Sequence, residues 1–171
     1  MYNMENRNFL SPLGYQFHVK KCPATSFFIQ STEIPGLSGI TVYEPNPFVK
    51  IPMTYDHLEY EPLTVSFKVD EDLQNYLEIF NWITALGTPE SYEQYKKLYD
   101  IPLYTGDGLY SDISLIILQS NKEANFEATF IDAFPISISK LPFNSTLTDV
   151  KYITATVSFK YSYFTLTKFN S

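Results

Sequence analysis

Between Leu63 and Gly87 the chain changes its hydrophobic period without a break. Leu63, Val65, Phe67 and Val69 alternate with Thr64, Ser66 and Lys68, the pattern of a strand with one buried face. Directly beyond them, Leu73, Tyr76, Leu77, Phe80, Ile83 and Leu86 recur at the i, i+3, i+4, i+7 spacing of an amphipathic helix. Only Asp70, Glu71 and Asp72 lie between, so the chain must fold a helix back onto a sheet, or across one end of a barrel. Carboxylates suit the first turn of a helix, where unpaired N–H groups and the positive dipole end meet them. Gly87 suits its stop. The spacing therefore predicts a principal helix over about 70–87. Thr88-Pro89 opens a short second helix over about 89–99, with proline at its first position.

The remainder reads as strands. Tyr15, Phe17 and Val19 alternate with Gln16, His18 and Lys20, and Thr25 to Gln30 is a second candidate, ended by the turn residues Ile34-Pro35-Gly36. Leu37 to Glu44 offers a third. Pro45, Pro47 and Pro52 then interrupt pairing, because proline lacks the ladder donor, and 45–61 reads as a long, partly extended excursion. Excursions of that length in compact domains usually serve function or an interface. Ile113 to Gln119 and Phe126 to Ile138 form a hairpin about Asn121-Lys122, with Pro135 implying an edge, bend or bulge. A long last strand places Ile153, Ala155, Val157, Phe159, Tyr161 and Tyr163 on one face, opposite Thr154, Thr156, Ser158 and Lys160. The expected class is mainly β (β+α), an antiparallel β-sandwich or barrel with one principal helix, in a single domain over 1–171.

Fourteen Tyr and fourteen Phe against one Trp agree with a β-rich core. The formal net charge of -7, from 12 basic and 19 acidic residues, argues against binding to a phosphate backbone, yet suits a wall that DNA passes without adhering. Cys22 is the sole cysteine, so no intrachain disulfide exists. The first residues show no secretory signal, and no apolar stretch is long enough to span a bilayer as a helix.

Reactive centres are not evident. His18 and His57 lack ligand spacing, Cys22 has no histidine context, and Gly106-Asp107-Gly108 lacks a phosphate-loop pattern. No catalytic residue, metal or cofactor is expected. Trp82 reads as packing, and Tyr161, Tyr163 and Phe164 as core rather than as a platform for stacking sugars, as in a monomeric β-sandwich carbohydrate-binding module.

Four stretches together resemble the tail-tube proteins of contractile bacteriophages. They are "GYQFHVKK", "STEIPG", "PLTVSFKVDEDLQNYLEIFNWI", and "IDAFPISISKLPF" followed by "TATVSFKYSYF", which span Phe9 to Phe164. Ala133 stands where the family commonly has glycine before Phe-Pro, and Asp100 to Ser111 looks like an insertion. The resemblance implies a non-enzymatic virion protein, assembled in the host bacterial cytoplasm. Six copies would join their strands into a ring around a channel for DNA, and rings would stack into the inner tube, with sheath and baseplate proteins as partners. The same fold serves the baseplate–tube junction ring that starts the tube, the alternative role. On this reading Pro45, Asn46, Pro47, Phe48 and Tyr55 are candidates for ring stacking, and Thr154, Thr156, Ser158 and Lys160 for the lumen.

Overall fold

The computed structural model describes residues 10–55, 57–87, 108–146 and 152–169. Among them the chain order is β1 (Tyr15–Val19), α1 (Pro23–Phe27), β2 (Ile29–Thr32), β3 (Leu37–Gly39), β4 (Val42–Glu44), β5 (Ile51–Met53), β6 (Leu58–Tyr60) and β7 (Leu63–Lys68). Then follow α2 (Gln74–Leu86), β8 (Ser111–Leu118), β9 (Ala124–Ile138), β10 (Thr154–Lys160) and β11 (Tyr163–Lys168). The expected second helix over 89–99 lies outside the described residues.

The main sheet runs β1-β8-β9-β10-β7-β2, every pair antiparallel, with β11 also on β9. The long strand β9 makes this one sheet into two packed halves. Its first part pairs with β8 and β11, and its last part, from Phe134, with β10. At the changeover two residues of β9, Ile131 and Asp132, oppose one of β8, and Asp132 takes a left-handed φ of 54°. Pro135 lies just beyond, opposite Phe159, where the β10 register shifts. Such bulges bend a strand and sharpen its twist, which is how one strand serves both halves.

Alternation then sets the core. Phe17, Ile113, Leu115, Ala128 and Phe130 from one half meet Leu63, Val65, Phe67, Ala155, Val157 and Phe159 from the other, all buried in one cluster. Each fully buried Phe or Leu there contributes on the order of 2–3 kcal/mol.

Several expectations need correction. Thr25 to Gln30 does not form one strand: Pro23 at the first helical position starts the short α1, and β2 begins only at Ile29. Leu37 to Glu44 divides into β3 and β4, which sit in separate two-stranded ladders. The last strand also divides, because the chain turns at Tyr161-Ser162 and changes partners, so that Tyr163 faces out while Phe164 turns in. The principal helix starts at Gln74, not at 70, and has no acidic residue in its first turn and no side-chain cap. Asp70, Glu71 and Asp72 precede it in a turn that brings Leu73 to a left-handed φ of 58°.

The helix is rotated in part from the expected orientation: Tyr76, Ile83 and Leu86 of the expected stripe do pack against the core. Asn75, Ile79, Trp82 and Ala85 face the core, whereas Leu77 and Phe80 are 46% and 47% exposed. Asn75 explains the inward face. Its buried amide Nδ2 donates to the Lys68 carbonyl at 2.7 Å, and its Oδ1 accepts the Asp70 N–H at 3.4 Å, so the side chain closes the turn the carboxylates were expected to cap.

Candidate functional site

The excursion expected over 45–61 is an ordered arm. Strands β3 and β6 pair from Leu37↔Tyr60 to Gly39↔Leu58, and beyond them β4 and β5 pair from Val42↔Met53 to Glu44↔Ile51. Each ladder has only two strands, so Pro52 can sit in β5 with its donorless nitrogen on an edge.

Three local devices hold the arm. At its root the Gly36 N–H donates to Glu61 Oε2 at 3.1 Å, and the Glu61 N–H donates to the Gly36 carbonyl at 3.2 Å. A Cβ on Gly36 would stand 2.7 Å from that carboxylate oxygen, so only glycine admits this closure without a shift. Tyr161 Oη donates to the Glu61 carbonyl at 2.8 Å, and Tyr60 meets Tyr161 and Phe164 edge to face at 5.9 Å each. Burial, with Tyr60 and Glu61 nearby, pushes the Tyr161 phenol up to about 12. At the joint between the two ladders the Tyr55 ring lies over Gly39, where a Cβ would come within 2.3 Å of it. At the tip Asn46 Oδ1 accepts the Phe48 N–H at 3.1 Å and presents Phe48, which is 92% exposed. Pro45, Asn46, Pro47 and Phe48 thus share the tip, whereas Tyr55 stands away from it and packs on the arm's own backbone.

The arm buries almost nothing of itself. Leu37, Val42, Tyr43, Val49, Ile51, Met53 and Leu58 are all exposed along it. So many exposed apolar side chains on one short arm are unusual for a chain that stays single.

A second surface is the outward side of β7 and β10. Thr154, Thr156, Ser158 and Lys160 share it, with Lys68 opposite Thr154, Ser66 opposite Thr156 and Thr64 opposite Ser158. Ser66 and Thr156 hydroxyls are 3.1 Å apart, and Ser158 also pairs with Ser137 of β9. The cross-strand pairs of this face hold hydroxyls, two lysines and, opposite Lys160, Phe134, with no carboxylate among them.

The side chains weighed for chemistry take structural places. Cys22 is buried, and burial, with Glu78 nearby, pushes its thiol well above the ordinary range. Trp82 is core: its Nε1 donates to the Leu109 carbonyl at 3.0 Å, and Lys21 Nζ stands 5.1 Å over its ring. His18 is exposed on β1 opposite Ser114, and His57 is exposed on the arm. Tyr161 and Phe164 pack against Phe130, so of the three aromatics only Tyr163 is presented outward. No group of three or more His, Cys, Asp or Glu able to hold a metal occurs among the described residues, and none of their helices is long and apolar enough to cross a membrane. Sequence reasoning missed one polar cluster. Thr25 Oγ1 donates to the Asn75 carbonyl at 3.0 Å, and its N–H lies 3.4 Å from Glu78 Oε2. Desolvation raises the Glu78 pKa, against the lowering effect of hydrogen bonds from Thr25 and Ala24.

The described residues thus form a bent two-half β-sheet with a covering helix and an unburied hairpin arm. Residues 7–167 match the model of the phage tail tube protein family, and the chain belongs to that family. No curated protein matches the sequence. Among solved structures the fold is similar to a chain of the anti-feeding prophage baseplate, at 7% identity with a TM-score of 0.58, covering 96% of this chain and 97% of that one. It is similar to a chain of the sheath–tube complex of an extracellular contractile injection system, at 12% identity and a TM-score of 0.58, covering 95% and 94%. The Hcp1 protein of E. coli EAEC 042 follows at 9% identity and a TM-score of 0.51, covering 91% of each chain.

Proposed function

We propose that this chain is the repeating subunit of the inner tube of a contractile phage tail, one domain over 1–171, with six copies per ring and rings stacked around a channel for DNA. The observation that carries the reading, beyond family membership, is the arm from Leu37 to Tyr60. It is hydrogen-bonded at its root and packed at its joint, yet leaves its apolar side chains exposed in the single chain. In the assembly the arm docks on a neighbouring ring, and Thr154, Thr156, Ser158 and Lys160 face the lumen. That lining offers hydroxyls and isolated lysines, so repulsion of DNA phosphates falls to the acidic charge of the whole subunit, acting over a Debye length of about 8 Å at physiological salt. Sheath and baseplate proteins are the outer partners, and assembly takes place in the host cytoplasm.

Electron micrographs of the purified chain at high concentration test the reading. Long uniform tubes are the expected result. Isolated rings would assign the chain to the baseplate–tube junction, and a monomer in sizing chromatography that gives signal on a glycan array would replace the reading with a carbohydrate-binding module.

A further inference from the structure

The arm is built in two pieces that meet at a joint. β3 ends at Gly39 and β4 begins at Val42, while β5 ends at Met53 and β6 begins at Leu58. Two residues therefore link the separate ladders on one side and four on the other. Unequal links act as a bulge does: the longer side arches, and the pair bends there. Tyr55 lies on the longer link, and its ring folds back over Gly39.

Gly39 serves this joint through space, not through its backbone. None of the described glycines has a positive φ, so alanine would adopt the same backbone at 39. The Tyr55 ring is what excludes it, since a Cβ would stand 2.3 Å from Cδ1 and 2.5 Å from Cγ. A glycine within a strand costs stability and marks such close approaches. Leu37 pairs with Tyr60 and Gly39 with Leu58, so the ring fills the side-chain place left empty on the face that Leu37, Leu58 and Tyr60 share. A residue of the link is thus seated on the proximal ladder, and the direction of the distal ladder follows from it. That direction matters, because the two faces of β4–β5 differ. Val42, Glu44, Ile51 and Met53 share one face, and Tyr43 and Pro52 the other. A turn about the joint changes which set a neighbour meets.

We infer that Tyr55, seated in the space Gly39 leaves, is the positioning residue of the arm, and that it sets which face of β4–β5 is presented to a second copy of this chain. The inference rests on the reading of the arm as a ring-to-ring contact and adds the residue that aims it. Ring carbons make the contact, so Tyr55→Phe keeps it and Tyr55→Ala removes it.

The test reads a distance within one full chain. Spin labels on Glu44→Cys of β4 and Thr165→Cys of β11 report the distal ladder against the body; both positions are exposed, and the buried Cys22 stays unlabelled. Labelled chain is kept dilute among unlabelled chain, so that only pairs within one subunit are read. The native arm and Tyr55→Phe should give one narrow distance. Tyr55→Ala and Gly39→Ala should each broaden it severalfold and shorten the tubes, with the melting curve of the body unchanged. Gly39→Ala should add nothing once Tyr55 is alanine, as holds for two residues acting through one contact. A broad distance in the native arm, a narrow one in Tyr55→Ala, or independent effects of the two substitutions would overturn the inference and leave the docking role standing. Distances that broaden while tubes keep their native length would uphold the joint and sink the docking role instead.

Discussion

Asn75 carries more of the fold than its polar character suggests. Its side chain closes the link between β7 and α2, while its carbonyl accepts the Thr25 hydroxyl, and the residue is fully buried. Asn75→Ala should lower stability by about 2 kcal/mol, because it strands the Lys68 carbonyl in the interior. A shift of the urea midpoint with unchanged slope checks this; a loss under half a kcal/mol would contradict it. Glu78 gives a pH signature. Its folded pKa is raised by desolvation, so its favourable contribution is complete below the ordinary carboxylate value of about 4.3 and is lost as pH rises through the folded value. The native chain should therefore lose stability relative to Glu78→Gln as pH increases through that window. Melting curves of the pair across pH decide it, and a gap independent of pH would refute the assignment.

Among the elements, β9 is the one that shapes the molecule. Its bulge at Asp132 joins the two halves of the sheet, and the left-handed φ there admits Gly, Asn or Asp far more readily than other residues. Asp132→Gly should be close to neutral, whereas Asp132→Val should cost at least about 1–2 kcal/mol; equal effects of the two would show that the bulge geometry is wrong. Helix α2 shows how apolar spacing misleads when a helix has two apolar faces. Leu77 and Phe80 extend the apolar stripe on the outer side, yet Trp82, Ile79 and a buried Asn75 decide which face turns in. Packing selects the face whose polar groups find partners, and a period cannot see those partners.

At the level of the whole molecule the arm and the body are separable. The root is closed by Gly36 and Glu61, so replacing residues 45–50 by a two-residue Asn-Gly turn should leave the core intact. The truncated chain should melt within about 1 kcal/mol of the native one, since it loses only exposed groups. It should also fail to stack, which negative-stain images would read as short or absent tubes. Unaltered tube length would refute the role given to the arm.

The β-rich class, the strands β1, β7, β8 and β9, the bulge signalled by Pro135 and the membership of the tail tube family were all legible in the residues. Alternation over Leu63–Lys68 and Thr154–Lys160 is a local pattern with one buried face, and a local pattern survives in any fold that satisfies it. What escaped was non-local. The pairing of β4 with β5 turned an apparent loop into an arm, and a change of partner divided the last strand at Tyr161. The inward face of α2 depended on distant neighbours such as Phe159, against whose ring Trp82 packs. Sequence periodicity determined which side chains wanted burial; only the tertiary structure decided against what, because hydrogen-bond partners and packing neighbours are set by chain segments far apart in sequence.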